Sequence, residues 1–202
     1  MRKPLTLLLL GVLLTSLAYS QVKIAPQVKV GTQVKLSAGG GGPSGTPFIS
    51  AQSLGTLRNN FTGCVGFTFT AAVSPVTVTA LGRWVVSGNS GTHVVYLVRT
   101  SDDSIVASAS VNTSGATPGA YKYASITPTA LPAGSTGYIL CSAETNAGDQ
   151  WYDNDTTITT FSSTVAASVD GGAGYTTVPP SAGNAFTNGA SPVTYGPVNL
   201  LF

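Results

Sequence analysis

The sequence predicts an all-β protein: a two-layer antiparallel β-sandwich, jelly-roll-like, with an extended N-terminal strand arm. Three observations lead there. Charged residues make up only 8% of the chain, against a usual ~25%, which disfavours helical, ion-pair-rich architectures. Glycine occurs 24 times and proline 12 times, and these residues punctuate the chain with turns. Between the turns lie short runs rich in Val, Thr, Tyr and Phe, the composition of strands rather than helices.

The first twenty residues read as an export signal. Arg2 and Lys3 precede an apolar run from Leu5 to Leu17, and Ala18-Tyr19-Ser20 offers small residues where a signal peptidase reads. The run is too short to span a bilayer. Cleavage before Gln21 removes two cations and leaves Lys and Arg equal in number to Asp and Glu. No net field then draws the mature chain to nucleic acid. The expected location is secreted, either extracellular or at the cell surface. Cys64 and Cys141 are the two thiols, each in a strand-like stretch, and an even number in an exported chain points to one disulfide.

Residues 21–38 repeat a six-residue unit: Gln21-Val22-Lys23, Gln27-Val28-Lys29 and Gln33-Val34-Lys35. Because six is even, an extended chain places Val22, Ile24, Val28, Val30, Val34 and Leu36 on one side and the Gln and Lys residues on the other. This amphipathic arm needs a partner for its apolar side. It either folds back on its own domain or adds as a strand to another chain. Residues 39–59 open on Gly39-Gly40-Gly41-Gly42-Pro43 and are expected to be a linker.

Residues 60–202 are the expected sandwich domain. Strands are predicted near 64–70, 76–86, 92–100, 104–111, 119–127, 136–143, 156–164 and 194–201, with further strand character around 174–187. In 76–86, Val76, Val78, Ala80, Gly82, Trp84 and Val86 alternate with Thr77, Thr79, Leu81, Arg83 and Val85, which predicts an apolar face on the first set.

Several short motifs in order carry a resemblance. They are Val78-Thr79-Ala80-Leu81-Gly82-Arg83-Trp84, Gly88-Asn89-Ser90-Gly91-Thr92-His93, Tyr121-Lys122-Tyr123, Leu131-Pro132-Ala133-Gly134, and Glu144 followed by Gly148-Asp149-Gln150-Trp151-Tyr152. Together they resemble an uncharacterised accessory β-sandwich module of secreted bacterial proteins, found with PEP-CTERM sorting tails or appended to glycoside hydrolases. The resemblance spans about 61–161, with Tyr195–Phe202 similar to that module's final strand. It implies a β-sandwich fold and a role in carbohydrate or cell-surface adhesion. This chain has neither a PEP-CTERM tail nor a catalytic domain beside the module.

The densest polar cluster runs from Glu144 to Asp155 and holds four of the seven acids. Carboxylates and amides on a turning loop are the ligand types a hard cation uses, so Asp149, Asp153 and Asp155 are the candidate ligands for calcium. The competing reading is a solvated loop of Asx turns. Trp151 and Tyr152 beside those acids also suit a sugar, whose apolar face stacks on rings while acids take its hydroxyls. His93 follows a turn and shares a strand face with Val95 and Leu97; it is either a ligand contact or a structural histidine bonded to an acid such as Glu144. No G-x-S-x-G elbow accompanies it. A two-carboxylate glycosidase built on Glu144 and Asp149 is conceivable, but the expected protein is not an enzyme. The expected function is non-catalytic binding of a glycan, matrix polymer or cell-surface polymer through Trp151, Tyr152, Glu144, Asp149, Asn89 and His93. The alternative is a structural subunit of a filament or oligomer joined through residues 21–38.

Overall fold

The computed structural model describes residues 42–71, 75–134, 137–160 and 166–202. The signal segment and the repeat arm lie outside them. Among the described residues there are fourteen strands and no helix. In chain order they are β1 (Ile49–Ser53), β2 (Leu57–Arg58), β3 (Gly63–Ala71), β4 (Val76–Trp84), β5 (Thr92–Arg99), β6 (Ser104–Asn112) and β7 (Tyr121–Leu131). There follow β8 (Gly137–Glu144), β9 (Trp151–Tyr152), β10 (Thr156–Thr160), β11 (Ala166–Tyr175), β12 (Ala185–Asn188), β13 (Val193–Thr194) and β14 (Val198–Leu201). No described helix is long and apolar enough to cross a membrane.

One layer is a six-stranded sheet in the order β12-β11-β3-β8-β5-β6, and the facing layer is β14-β4-β7. All pairings are antiparallel. Two smaller sheets, β1-β10-β13 and β2-β9, complete the fold. Alternation along the strands sends Phe67 and Phe69, Val95 and Leu97, and Tyr138 and Leu140 inward from the large layer, where they meet Val78, Leu81, Val198 and Leu200 of the small one. The opposite face of the large layer holds Cys64, Tyr96, Val98, Ile139, Cys141 and Tyr175 as a second apolar cluster.

The expected alternation of 76–86 holds only in its first half. A register shift between Val78 and Ala80 in the pairing with β7 changes the phase. Val78 and Leu81 therefore both reach the main core, while Trp84 packs elsewhere, against Val86 and Tyr121. At that point β4 advances two residues, Val78 to Ala80, while β7 advances four, Thr129 to Ser125. Arg83, two positions beyond Leu81, lies on the same side of the strand and so comes between the layers.

Within the stretch expected as a linker, 39–59, the described residues form β1 and β2 and dock on the sandwich. Thr46 and Phe202 exchange backbone hydrogen bonds, and Phe48 N–H donates to Leu200 O, so this stretch adds to the edge of β14. Phe48 and Ile49 are fully buried. Asn199 locks the junction, accepting from Ile49 N–H at 2.9 Å and donating to Ile49 O at 3.1 Å. Two large apolar side chains after a Gly-Pro-rich run were enough to dock it.

The disulfide is present: Cys64 and Cys141, 77 residues apart in sequence, join β3 to β8. These are adjacent strands of one sheet, in which Cys64 faces Ala143 and Cys141 faces Gly66. The outer strands β6 and β7 each carry a register irregularity, and β7 also contains Pro128. Both features interrupt a strand edge and discourage pairing with other chains.

Candidate functional site

Four ionisable side chains from different elements meet at one end of the core. Arg83 on β4 and Glu144 on β8 form a two-pronged pair, Nε to Oε1 at 3.1 Å and Nη2 to Oε2 at 2.8 Å, with neither side chain exposed. Arg83 also donates to Trp84 O and Gln150 O. His93, on the inward face of β5, lies with Nδ1 at 2.9 Å from Ala143 O and 3.2 Å from Glu144 Oε2. Its Nε2 lies 3.0 Å from Asp149 Oδ2.

Both imidazole nitrogens thus face oxygens that can only accept, an arrangement that suits the doubly protonated ring. Burial alone would lower the His93 pKa, but the hydrogen bond and charge of Glu144 outweigh burial and the nearby Arg83, and the pKa is raised above 6.5. Asp149 shows the complementary shift. Burial pushes it up, yet hydrogen bonds from His93, the Gly91 and Ser90 backbone N–H groups and the Thr113 hydroxyl hold it down at about 2. Arg83, Glu144, His93 and Asp149 thus form one hydrogen-bonded quartet.

Asn89 extends the network to the neighbouring loop. Its amide donates to Gln150 O at 2.9 Å and accepts from Gln150 N–H at 3.0 Å, so a side chain imitates one rung of a strand ladder. Together these contacts clamp the Gly88–Gly91 turn onto the loop before β9. Of the expected ligand-contacting residues, Glu144, Asp149, Asn89 and His93 are brought together, but as partners of one another and of the backbone. The reading of His93 as a histidine bonded to Glu144 describes the geometry.

Trp151 and Tyr152 separate, because consecutive residues of a strand face opposite ways. Tyr152 packs against the Trp84–Tyr121 cluster. Trp151 is only 3% exposed and packs with Val65 and Tyr195. It also lines a cavity of about 460 Å³, within the range of small-ligand sites. The buried lining is Val65, Trp151 and Tyr195; Phe61 and Phe186 are half-buried sides; Arg58, Asn60, Asp153 and Thr176 stand at the mouth.

The rings interlock edge to face. Trp151 and Tyr195 centroids are 5.7 Å apart, Tyr195 and Phe186 6.2 Å, and Phe186 and Phe61 5.8 Å, the arrangement aromatic quadrupoles favour. Arg58 Nε donates to Asp153 Oδ2 at 2.7 Å, which fixes the guanidinium at the mouth. Tyr195 Oη accepts from Asn188. The Trp151 indole N–H is buried and has no hydrogen-bond partner among the described residues.

The three acids singled out for calcium serve separate donors. Asp149 belongs to the quartet, and Asp153 accepts from Arg58 and from Asn154 N–H. Asp155 accepts from the Thr56 N–H and hydroxyl, both at 2.7 Å, and those bonds lower its pKa. Among the described residues, no three His, Cys, Asp or Glu side chains are grouped as a metal ion requires.

Sequence reasoning missed Arg83, Arg58, Phe61, Phe186 and Tyr195. Arg83 had a visible signal, a cation within an otherwise uncharged strand. The other four come from two distant stretches, 58–61 and 186–195, and only the fold assembles them. Compared with protein-family models, curated proteins and solved structures, the chain matches none.

Proposed function

We propose that this chain is a secreted, non-catalytic β-sandwich module that binds a glycan or surface polymer, and that the Trp151 cavity is its binding site. The observation that carries the reading is the cavity of about 460 Å³ lined by Phe61, Trp151, Phe186 and Tyr195, with Arg58 and Asp153 beside them. The pocket's other features agree: apolar ring surface suits the C–H face of a sugar, and the fixed Arg58–Asp153 pair offers polar groups to its hydroxyls.

The quartet supports this reading by its role. With Arg83, Glu144, His93 and Asp149 engaged with one another, the carboxylates and imidazole act as a clamp under the loop that presents Trp151. The disulfide and the signal-like first twenty residues fit export, and the resemblance to accessory modules of secreted proteins points the same way.

The test is binding of soluble polysaccharides and a glycan array by the folded chain and by its Trp151→Phe and Phe186→Ala variants. Binding that falls at least tenfold in both, with thermal unfolding retained, supports the site. Unchanged binding profiles would place recognition elsewhere on the molecule.

A further inference from the structure

We propose that His93 is a proton-operated latch on the cavity: protonated, it holds the loop 145–150 that ties two lining segments together, and as it loses a proton that loop loosens. The effect on binding rests on the glycan reading above, whereas the latch itself rests on the contacts of the loop. At its start, Asn146 N–H donates to the Thr62 hydroxyl at 3.0 Å and Ala147 N–H to Asn59 O at 2.6 Å. These anchors flank Asn60 and Phe61, which line the cavity. At its end, Asp149 accepts from Gly91 N–H and Gln150 N–H donates to Asn89. The next residue is Trp151, which lines the same cavity.

The charged groups that face His93 come from three elements: Arg83 on β4, Glu144 on β8 and Asp149 in the loop. Its Nδ1 has two acceptors within reach, Ala143 O at 2.9 Å and Glu144 Oε2 at 3.2 Å. Its Nε2 has Asp149 Oδ2 at 3.0 Å. A neutral imidazole keeps one N–H, and the better-supplied Nδ1 retains it. Asp149 Oδ2 then faces a lone pair, and a charge-assisted bond between β5 and the loop is lost. The carboxylate is left with the Ser90 and Gly91 N–H groups and the Thr113 hydroxyl. Histidine is the side chain that makes this change near neutrality. Burial lowers the His93 pKa, but Glu144 outweighs it and places the transition above 6.5.

A chain with one histidine makes the test direct. The His93 ring signals of the folded, ligand-free protein are followed by nuclear magnetic resonance from about pH 5 to about pH 9, together with hydrogen-exchange protection of the Gly91, Asn146, Ala147 and Gln150 amides. Protection of these four is expected to fall at least fivefold, with the midpoint of the His93 titration, while amides in the middle of β3 and β8 keep theirs. In His93→Gln, whose side chain does not titrate, that pH dependence should vanish; should the variant fail to fold, the matched midpoints of the parent decide. Constant protection while His93 titrates, a midpoint elsewhere, or a His93 that keeps one charge state across the range would overturn the latch and leave a glycan site in place. A glycan array at about pH 5.5 and about pH 8.5 reads the consequence. Binding at least fivefold weaker at the higher pH supports the coupling, and equal binding overturns it. An array empty at both overturns the glycan reading alone, with the exchange data deciding the latch.

Discussion

Arg83 and Glu144 meet with neither side chain exposed and join the two layers of the sandwich through one bidentate ion pair. A pair so placed is costly to break from one side, because the survivor is left charged and buried. We expect Glu144→Gln to lower unfolding free energy by about 3–5 kcal/mol. The double replacement Arg83→Met with Glu144→Leu should cost less than the single one. Urea denaturation of the three proteins checks both statements, and a Glu144→Gln protein within about 1 kcal/mol of the parent would show that the pair is dispensable.

The shifts of His93 and Asp149 set a window of pH. A histidine whose folded pKa is raised contributes fully below its ordinary 6.5 and loses that contribution as pH rises through the folded value. An aspartate held at about 2 contributes above its ordinary 3.8 and loses that contribution as pH falls toward 2. Stability is therefore expected to plateau between about pH 4 and pH 6.5 and to fall on both sides. Denaturation midpoints followed from acid to mildly alkaline pH should show His93→Gln flattening the upper limb and Asp149→Asn the lower. A parent curve that keeps rising through neutrality would contradict the assignment of His93.

Closing a loop of 77 residues, the Cys64–Cys141 bridge should contribute about 4.5 kcal/mol in the chain-entropy description. Both cysteines are fully buried, so reductant alone should act slowly on the folded chain. Mass spectrometry after alkylation should find no labels without reductant, even in denaturant, and two labels once reductant is added. Two labels without reductant would mean free thiols.

The fold was legible because its strands follow period-two alternation between strong turn residues. Where that signal failed, the cause is local. β11 reads Ala-Ala-Ser-Val-Asp-Gly-Gly-Ala-Gly-Tyr and has almost no large side chains to alternate. Its glycines are there for closeness: a Cβ on Gly174 would collide with the Cys64 carbonyl oxygen across the ladder, so the strand is defined by its neighbour. The Val78–Ala80 irregularity is equally silent in sequence, since nothing in Val-Thr-Ala-Leu marks a change of phase.

The candidate site divides the same way. The stretch Glu144–Tyr152, with Asn89 and His93, was visible as a cluster of chemistry; the structure brings Glu144, Asp149, Asn89 and His93 together and turns Trp151 and Tyr152 to other clusters. Whether they face a ligand or one another depends on Arg83, which enters only through the phase change. The pocket beside Trp151 was not legible, since Phe61, Phe186 and Tyr195 are ordinary aromatics until β12 and two loops bring them to one place.

With two tryptophans in the chain, the central claim is open to a direct reading. In a nitrogen-labelled sample the indole N–H signals of Trp84 and Trp151 are separately observable and assignable by Trp151→Phe. Titration with a glycan that the protein binds should move the Trp151 signal progressively to saturation and leave that of Trp84, packed with Val86 and Tyr121, in place. A bound, saturating glycan that leaves the Trp151 signal unmoved would contradict the account.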